Sequence, residues 1–341
     1  MAIIMNPQTK IITDERKEGC DFSEILTASR DISGGWRDGY IDNSRKRNFE
    51  IDNDLNFHYL TMAGEERHTD MTEFAFTQLC ARIGVPASYV KKCFDSGKQD
   101  LAIMNFRKWA DEEKGTMLVR ESGGIVRAVL SDKYKTFDGL QAMRSVKHAI
   151  DFDRYIVKQY RITEDNLFVR FVEKEPFMSD HNSPLFIGFI ISNSDTGRGA
   201  FSVRFSVYRQ VCTNGMTVQQ MGGTLYQQSH IGEGMNESKI LVLKRCFRNI
   251  DTVVAALKEK ILVSRKHNLK DYEVAYYVEK ARRELKLSEK ATEELEELVF
   301  GVYEPTQWGV INGVTELAQR FALDTRMSME AWAGDMLARA A

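Results

Sequence analysis

Apolar residues recur along this chain with two different periods. From Thr72 onward, Phe74, Phe76, Leu79, Cys80 and Ile83 share one face at helical spacing. Gly84-Val85-Pro86 breaks the run, and Ala87 to Phe94 restarts it, with Pro86 at or near the first helical position, where its missing N–H costs little. The spacing predicts a helical hairpin. Strand signals begin at Met117: Met117–Glu121 and Ile125–Ser131 flank Ser122-Gly123-Gly124 and predict a β-hairpin. Tyr155–Ile162, Leu167–Glu173, Leu185–Ser192 and Ala200–Cys212 follow, all rich in β-branched and aromatic residues. Asn214-Gly215 is a type I′ turn signal, with Thr224–Ser229 as its return strand. Most gaps are too short for a crossover helix, so antiparallel pairing is expected, with a helix over 138–150 as an insertion. After Asn236, Ile240, Leu241, Leu243, Cys246, Phe247, Ile250, Val254, Leu257 and Leu262 recur at helical spacing. Further helices are expected over 271–285, 289–302 and 307–340.

The predicted fold class is α+β, a central antiparallel β-sheet with a preceding helical hairpin and a helical C-terminal region. Its regions are 1–115, irregular and helical, with a basic knot at Arg45-Lys46-Arg47; 116–232, the β-rich core; and 233–341, helical. A chain of 341 residues suits that division, and 43% hydrophobic residues are enough for a real core. No apolar run approaches the roughly 18 residues of a membrane helix. The start of the chain lacks the basic head and apolar stretch of a cleavable signal. The five cysteines (Cys20, Cys80, Cys93, Cys212, Cys246) form no close pair, which suits a reducing cytoplasm.

Charge changes the picture only when read by position. With 47 Lys+Arg against 49 Asp+Glu, the net charge of -2 excludes a globally basic coat but not a local field. Between Asp195 and Glu233 the chain has no acidic residue, while it carries Arg198, Arg204 and Arg209 with Tyr208 and Tyr226. Strand alternation puts Phe201, Val203, Phe205 and Val207 on a core face, and Ser202, Arg204, Ser206, Tyr208 and Gln210 on the other. A polar, cationic and aromatic face suits a sugar-phosphate backbone with stacked bases. Arg209 falls on the apolar side, either re-aimed by a bulge or buried with a partner. Arg120, Arg127, Lys158 and Arg170 each put a base in mid-strand, and Lys244, Arg245 and Arg248 follow on a helix. Surface ion pairing with nearby glutamates would also account for any one of them.

Catalytic motifs are missing. There is no HExxH, Walker loop, G-x-S-x-G or CxxC, and the six histidines lack metal-ligand spacing. Gly197-Arg198-Gly199 could be drawn as a phosphate cradle, but it opens onto a strand and reads better as a hairpin loop. No cofactor or resident metal is expected. The segment from Thr72 to Phe94 also resembles a helix-turn-helix, in which Ser88, Lys91 and Lys92 would face DNA.

Three strings carry a wider resemblance: QLCARIGVPASYVKK (78–92), MLVRESGGIVRAVLSDKYKTFD (117–138) and VYRQVCTNGM (207–216). Together they resemble the phage/plasmid-like proteins known as domain of unknown function 932, over about residues 70–310, with Val211 to Met216 as the most specific element. The resemblance implies a protein of a bacteriophage or plasmid acting in the bacterial cytoplasm, with DNA metabolism as a natural role. It brings no catalytic set. Phage annealing proteins of the RecT and Redβ type offer an analogy of architecture and basic-residue placement only.

The leading expectation is a single-stranded DNA-binding protein whose strongest form is an ATP-independent annealing recombinase. Arg120, Arg127, Lys158, Arg170, Arg198, Arg204 and Arg209 would meet phosphates, Tyr208 would stack on a base, and Lys244, Arg245 and Arg248 would wall the groove. A near-neutral chain would need neighbouring copies to extend the groove, so a homo-oligomer, ring or filament, is expected. The second expectation is a protein-interaction factor, anti-defence or structural, using the C-terminal helices with Trp308 and Trp332. The third is a metal-dependent nucleic-acid enzyme built on Asp132 and Asp138 or on Asp151 and Asp153.

Overall fold

Two β-sheets, rather than the single central one expected from strand spacing, organise the protein. The computed structural model describes residues 12–14, 21–163, 165–180, 183–209, 215–217, 224–233 and 237–339. Along the chain, β1 (Ile12–Asp14) and α1 (Phe22–Ser33) precede β2 (Trp36–Asp42), β3 (Phe49–Ile51), β4 (Phe57–Leu60) and β5 (Glu66–Met71). Three helices follow: α2 (Glu73–Arg82), α3 (Ala87–Asp95) and α4 (Gln99–Ala110). The hairpin β6 (Thr116–Ser122) and β7 (Ile125–Ser131) then joins β2–β5 in an N-terminal sheet of order β2-β6-β7-β5-β4-β3. All its pairs are antiparallel except β5 with β7, the pair whose connection includes the three-helix excursion.

The expected helical hairpin is α2 and α3. The Thr72 hydroxyl caps α2 by accepting from Ala75 N, and Gly84 supplies the positive φ (+75°) of the turn between the helices. Ala75, Phe76, Leu79 and Cys80 bury its apolar face on the N-terminal sheet, beside Val90 and Cys93 of α3.

The insertion helix is α5 (Gly139–Lys147). Next comes a large sheet of order β1-β8-β9-β11-β12-β13: β8 (Tyr155–Ile162), β9 (Leu167–Glu173), β10 (Met178–Asp180), β11 (Ser183–Asn193), β12 (Phe201–Arg209), β13 (Gly215–Thr217) and β14 (Thr224–Gln228). β10 pairs with β11 and β14 with β12, and every pair is antiparallel. The odd-numbered side chains of β12 point into the core as alternation requires: Phe201, Val203, Phe205 and Val207 are buried with Ile187, Phe189 and Phe171. α1 and α6 (Glu237–Arg248) pack on that face, through Phe22 against Phe171 (ring centres 5.9 Å apart) and Phe247 against Phe189 (4.7 Å).

The C-terminal region continues with α7 (Ile250–Lys266), α8 (Asp271–Leu285), α9 (Glu289–Glu297), a π-helical turn over Leu298–Val302, α10 (Gln307–Ala318) and α11 (Leu323–Ala338). The helix expected over 307–340 is therefore two, separated at 319–322. That break turns α11 back against α10 and lays Arg326 and Glu330 on the even-numbered face of the large sheet. The face expected to be open is covered. Among the described residues, no helix is long and apolar enough to cross a membrane.

Candidate nucleic-acid interface

The covered face holds a layer of arginines. Register places Arg170 of β9, Ile190 of β11 and Arg204 of β12 in one cross-strand row, with Gln159 of β8 beyond Arg170. Opposite residues in antiparallel strands share a face, so both guanidinium stems leave the sheet on the side of α11. Arg170 donates from Nη2 to Glu330 Oε2 at 2.5 Å, and its guanidinium carbon stands 4.8 Å from the centre of the Tyr208 ring. Gly188 makes room for that ring: a Cβ there would lie 2.4 Å from the Phe171 carbonyl oxygen and 3.1 Å from the Tyr208 ring edge. From α11, Arg326 Nη2 donates to Gln159 Oε1 at 3.3 Å.

Among the described residues the charges of this layer do not balance. Glu330 is the one described carboxylate paired in this layer, and its pair is with Arg170. Burial depresses the Arg204 guanidinium, and repulsion from Arg170 adds to it; burial also depresses Arg170, with Glu330 opposing. Among the described residues, Arg170 Nε, Arg204 Nε, Ser206 Oγ, Tyr208 Oη and Arg326 Nε have no hydrogen-bond partner. A buried donor without an acceptor costs about 1–3 kcal/mol, and more when charged. Each of these donors could take an acceptor oxygen, neutral or charged.

At the end of the same face opens a polar cavity of about 360 Å³, lined by Arg161, Thr163, Asn166, Ser192 and Arg198, with Met327 of α11 as one wall. Arg198 keeps 41% of its side chain exposed, lies 3.9 Å over the Phe74 ring and pairs with Asp165 at 3.4 Å. Burial raises the Asp165 carboxyl, with Arg198 and Arg127 opposing. The loop at 197–199 is the β11–β12 hairpin, not a phosphate cradle, with Gly197 at φ +82°.

Arg120 and Arg127 are not surface contacts. β6 and β7 are buried on both faces, so alternation there exposes neither base. Arg120 donates to Asp38 Oδ1, Asp138 Oδ1 and the Asp195 carbonyl, each at 2.8 Å, and lies 4.5 Å over the Trp36 ring. Burial alone would depress its guanidinium, but Asp138 and Asp38 outweigh that and hold it above its ordinary value. Asp195 accepts from Trp36 Nε1 (3.2 Å) and Asn193 Nδ2 (3.1 Å); burial and the nearby Asp138 push its carboxyl up to about 7. This network ties the hairpin of the N-terminal sheet to the β11–β12 loop of the large one.

The remaining expectations divide. Arg170 and Tyr208 share a face with Arg204 as alternation requires, but both are buried beneath α11 and Arg204 is half-buried. Lys158 sits at the β8 bulge and is half-buried. Arg245 and Arg248 are exposed and Lys244 half-buried, but α6 packs on the odd face. Those three bases therefore cannot wall a groove over Arg204. The Arg209 side chain and residues 210–214, with most of the VCTNGM element, lie outside the described residues. In the helix-turn-helix reading, Ser88 and Lys92 are exposed, while Lys91 pairs with Glu73. Trp308 is a core residue, and Trp332 donates to Glu284 at 2.6 Å. Asp138 serves Arg120, and Asp151 closes a turn by accepting from Asp153 N. Among the described residues no group of three or more His, Cys, Asp or Glu side chains is placed to hold a metal ion. Sequence reasoning missed Arg161, Arg326 and Glu330. Glu330 carried a signal, a lone acid between Met329 and Ala331 in an otherwise apolar stretch.

Comparison with curated proteins gives no match, and comparison with solved structures gives none. A family model does match, over residues 128–339, which takes in α11 and leaves out the helical hairpin. The chain thus belongs to the family described as domain of unknown function (DUF932).

Proposed function

We propose that the protein binds single-stranded DNA through the arginine layer of the large sheet. The observation that carries this reading is the surplus of cation beneath α11: buried Arg170 with half-buried Arg204 and Arg326 around one described carboxylate, with an unpartnered Nε on all three. A phosphodiester backbone would supply acceptors to those donors, and Tyr208 offers a ring for a base to stack on. The cavity beside Arg161 and Arg198 gives a strand its first contact at the exposed rim. Nothing in this scheme requires nucleotide hydrolysis. Annealing of complementary strands is its stronger form, with self-association joining the layers of neighbouring copies into a ring or filament.

Anisotropy titrations of a labelled oligodeoxynucleotide against salt test the reading with Arg204→Gln. Loss of one phosphate contact should reduce the log–log salt slope by about 1 and weaken binding about tenfold near physiological salt. Unchanged affinity and slope would overturn it.

One observation favours a second reading, a protein-interaction role. Helix α4 buries Ala102, Ile103 and Phe106 but leaves Leu101, Met104 and Trp109 about half exposed on its other side. Isolated exposed apolar residues are ordinary, whereas three on one helix side form a patch. A stable stoichiometric protein complex broken by Trp109→Glu, from a protein that binds no oligonucleotide, would favour it.

A further inference from the structure

Helix α11 contacts the arginine layer in an unusual way. It brings one carboxylate, Glu330, fully buried against Arg170, and one additional cation, Arg326, into a site already rich in cations. On its polar side the helix therefore gains one ion pair and the Arg326–Gln159 hydrogen bond, and adds like-charge repulsion. Its hold comes from elsewhere: Met329, Ala333, Met336 and Leu337 are buried in the core shared with α10, and Lys260 Nζ donates to the Ala338 carbonyl at 2.5 Å. The apolar side is anchored, and the polar side is held by one buried ion pair, whose carboxylate a phosphate could replace on Arg170. A carboxylate facing a guanidinium also presents the same planar pair of acceptors that a phosphate does.

We infer that α11 is a built-in lid, in which the Glu330 carboxylate occupies on Arg170 the place of a nucleic-acid phosphate and must be displaced before a strand can bind. The inference rests on the proposed function and adds its regulation. A strand that lifts the polar side of α11 exchanges one carboxylate for several phosphates. It also leaves Arg326 on the lifted flank, where that residue becomes part of the opposite wall. The short link at 319–322 is where the backbone would turn, with Met327 leaving the mouth of the cavity as it does so.

Two measurements on the full chain test the lid, with oligo-dT as the probe. In the first, amide hydrogen exchange is followed across residues 323–338 with and without the probe. Loss of protection when the probe binds supports the lid; bound probe with protection retained overturns it. In the second, Glu330→Gln and Arg204→Gln are titrated beside the parent protein. The lid predicts that Glu330→Gln tightens binding by about tenfold, within the usual range of coupling between sites. If Glu330→Gln leaves affinity unchanged while Arg204→Gln still weakens it, the lid falls and the binding surface stands. If neither variant alters binding, or none of the three proteins binds, both fall. Should Glu330→Gln fail to fold, the exchange experiment on the parent protein decides alone.

Discussion

Arg120 of the N-terminal sheet and Arg170 of the large sheet are both almost wholly buried, yet they sit in opposite charge balances. Arg120 has more anion than it needs, with the Asp38 and Asp138 carboxylates and the Asp195 carbonyl around one guanidinium. Arg170 has less, sharing Glu330 with a layer that also contains Arg204 and Arg326. A satisfied buried ion network fixes one geometry, because removing a partner leaves an uncompensated charge. A buried surplus of one sign has no such closure. It stays receptive to a ligand of the other sign. The first is a joint between the sheets; the second is, on the function proposed above, a binding surface held shut.

That contrast can be broken in several ways, beginning with the largest effect. Arg120→Met should destabilise the protein by about 3–5 kcal/mol in urea unfolding, the usual consequence of removing one partner from a buried ionic network. Arg204→Gln should change stability by less than about 1 kcal/mol, because it relieves repulsion from Arg170 and deletes no pair. Equal losses from both variants would erase the distinction between joint and surface.

The joint should also carry a pH signature. The Asp195 carboxyl is raised from an ordinary 3.8 to about 7, so the folded chain holds this proton more tightly than the unfolded chain. The stability it contributes is complete below about 4 and is lost as pH rises to about 7, at about 1.4 kcal/mol for each pH step between those limits. Stability measured from pH 5 to pH 8 should therefore fall, and Asp195→Asn should flatten the fall. A profile that rises over that window in the parent protein would contradict the assignment.

The surface has a steric test of smaller size. Gly188→Ala places a methyl 2.4 Å from the Phe171 carbonyl and 3.1 Å from the Tyr208 ring, so the backbone must shift and the ring must give by a few tenths of an ångström. Overpacking of this kind typically costs about 1–3 kcal/mol. Its signature beyond stability is a change in Tyr208 environment, readable by aromatic NMR shifts, which Gly39→Ala on the N-terminal sheet should not produce.

The contrast also explains how far the sequence could be read. β8, β9 and α8 have the bounds expected from periodicity, since each is long and strongly patterned. Only the β6–β7 hairpin was legible in the N-terminal sheet. Its strands β3 and β4 are three and four residues long, and β2 pairs with β6 across some eighty positions of chain. Alternation correctly put Arg204, Ser206 and Tyr208 on one face of β12. It could not say that α11 lies over that face, because period two reports which residues share a side and not what covers it. The same limit applies to α6, whose bases were assigned to the groove although Phe247 anchors the helix on the opposite face. Arg120 looked like other mid-strand bases, and only the fold brings it Asp38 and Asp195.

The central claim is that the arginine layer of the large sheet is where a single strand binds. Photocross-linking with an oligodeoxynucleotide carrying 4-thiothymidine, followed by peptide mapping, tests it most directly. The account predicts cross-links on β12 at Tyr208 and on α11 near Arg326. Cross-links confined to Lys92 of α3 or to Arg245 and Arg248 of α6, with none on β12, would contradict it.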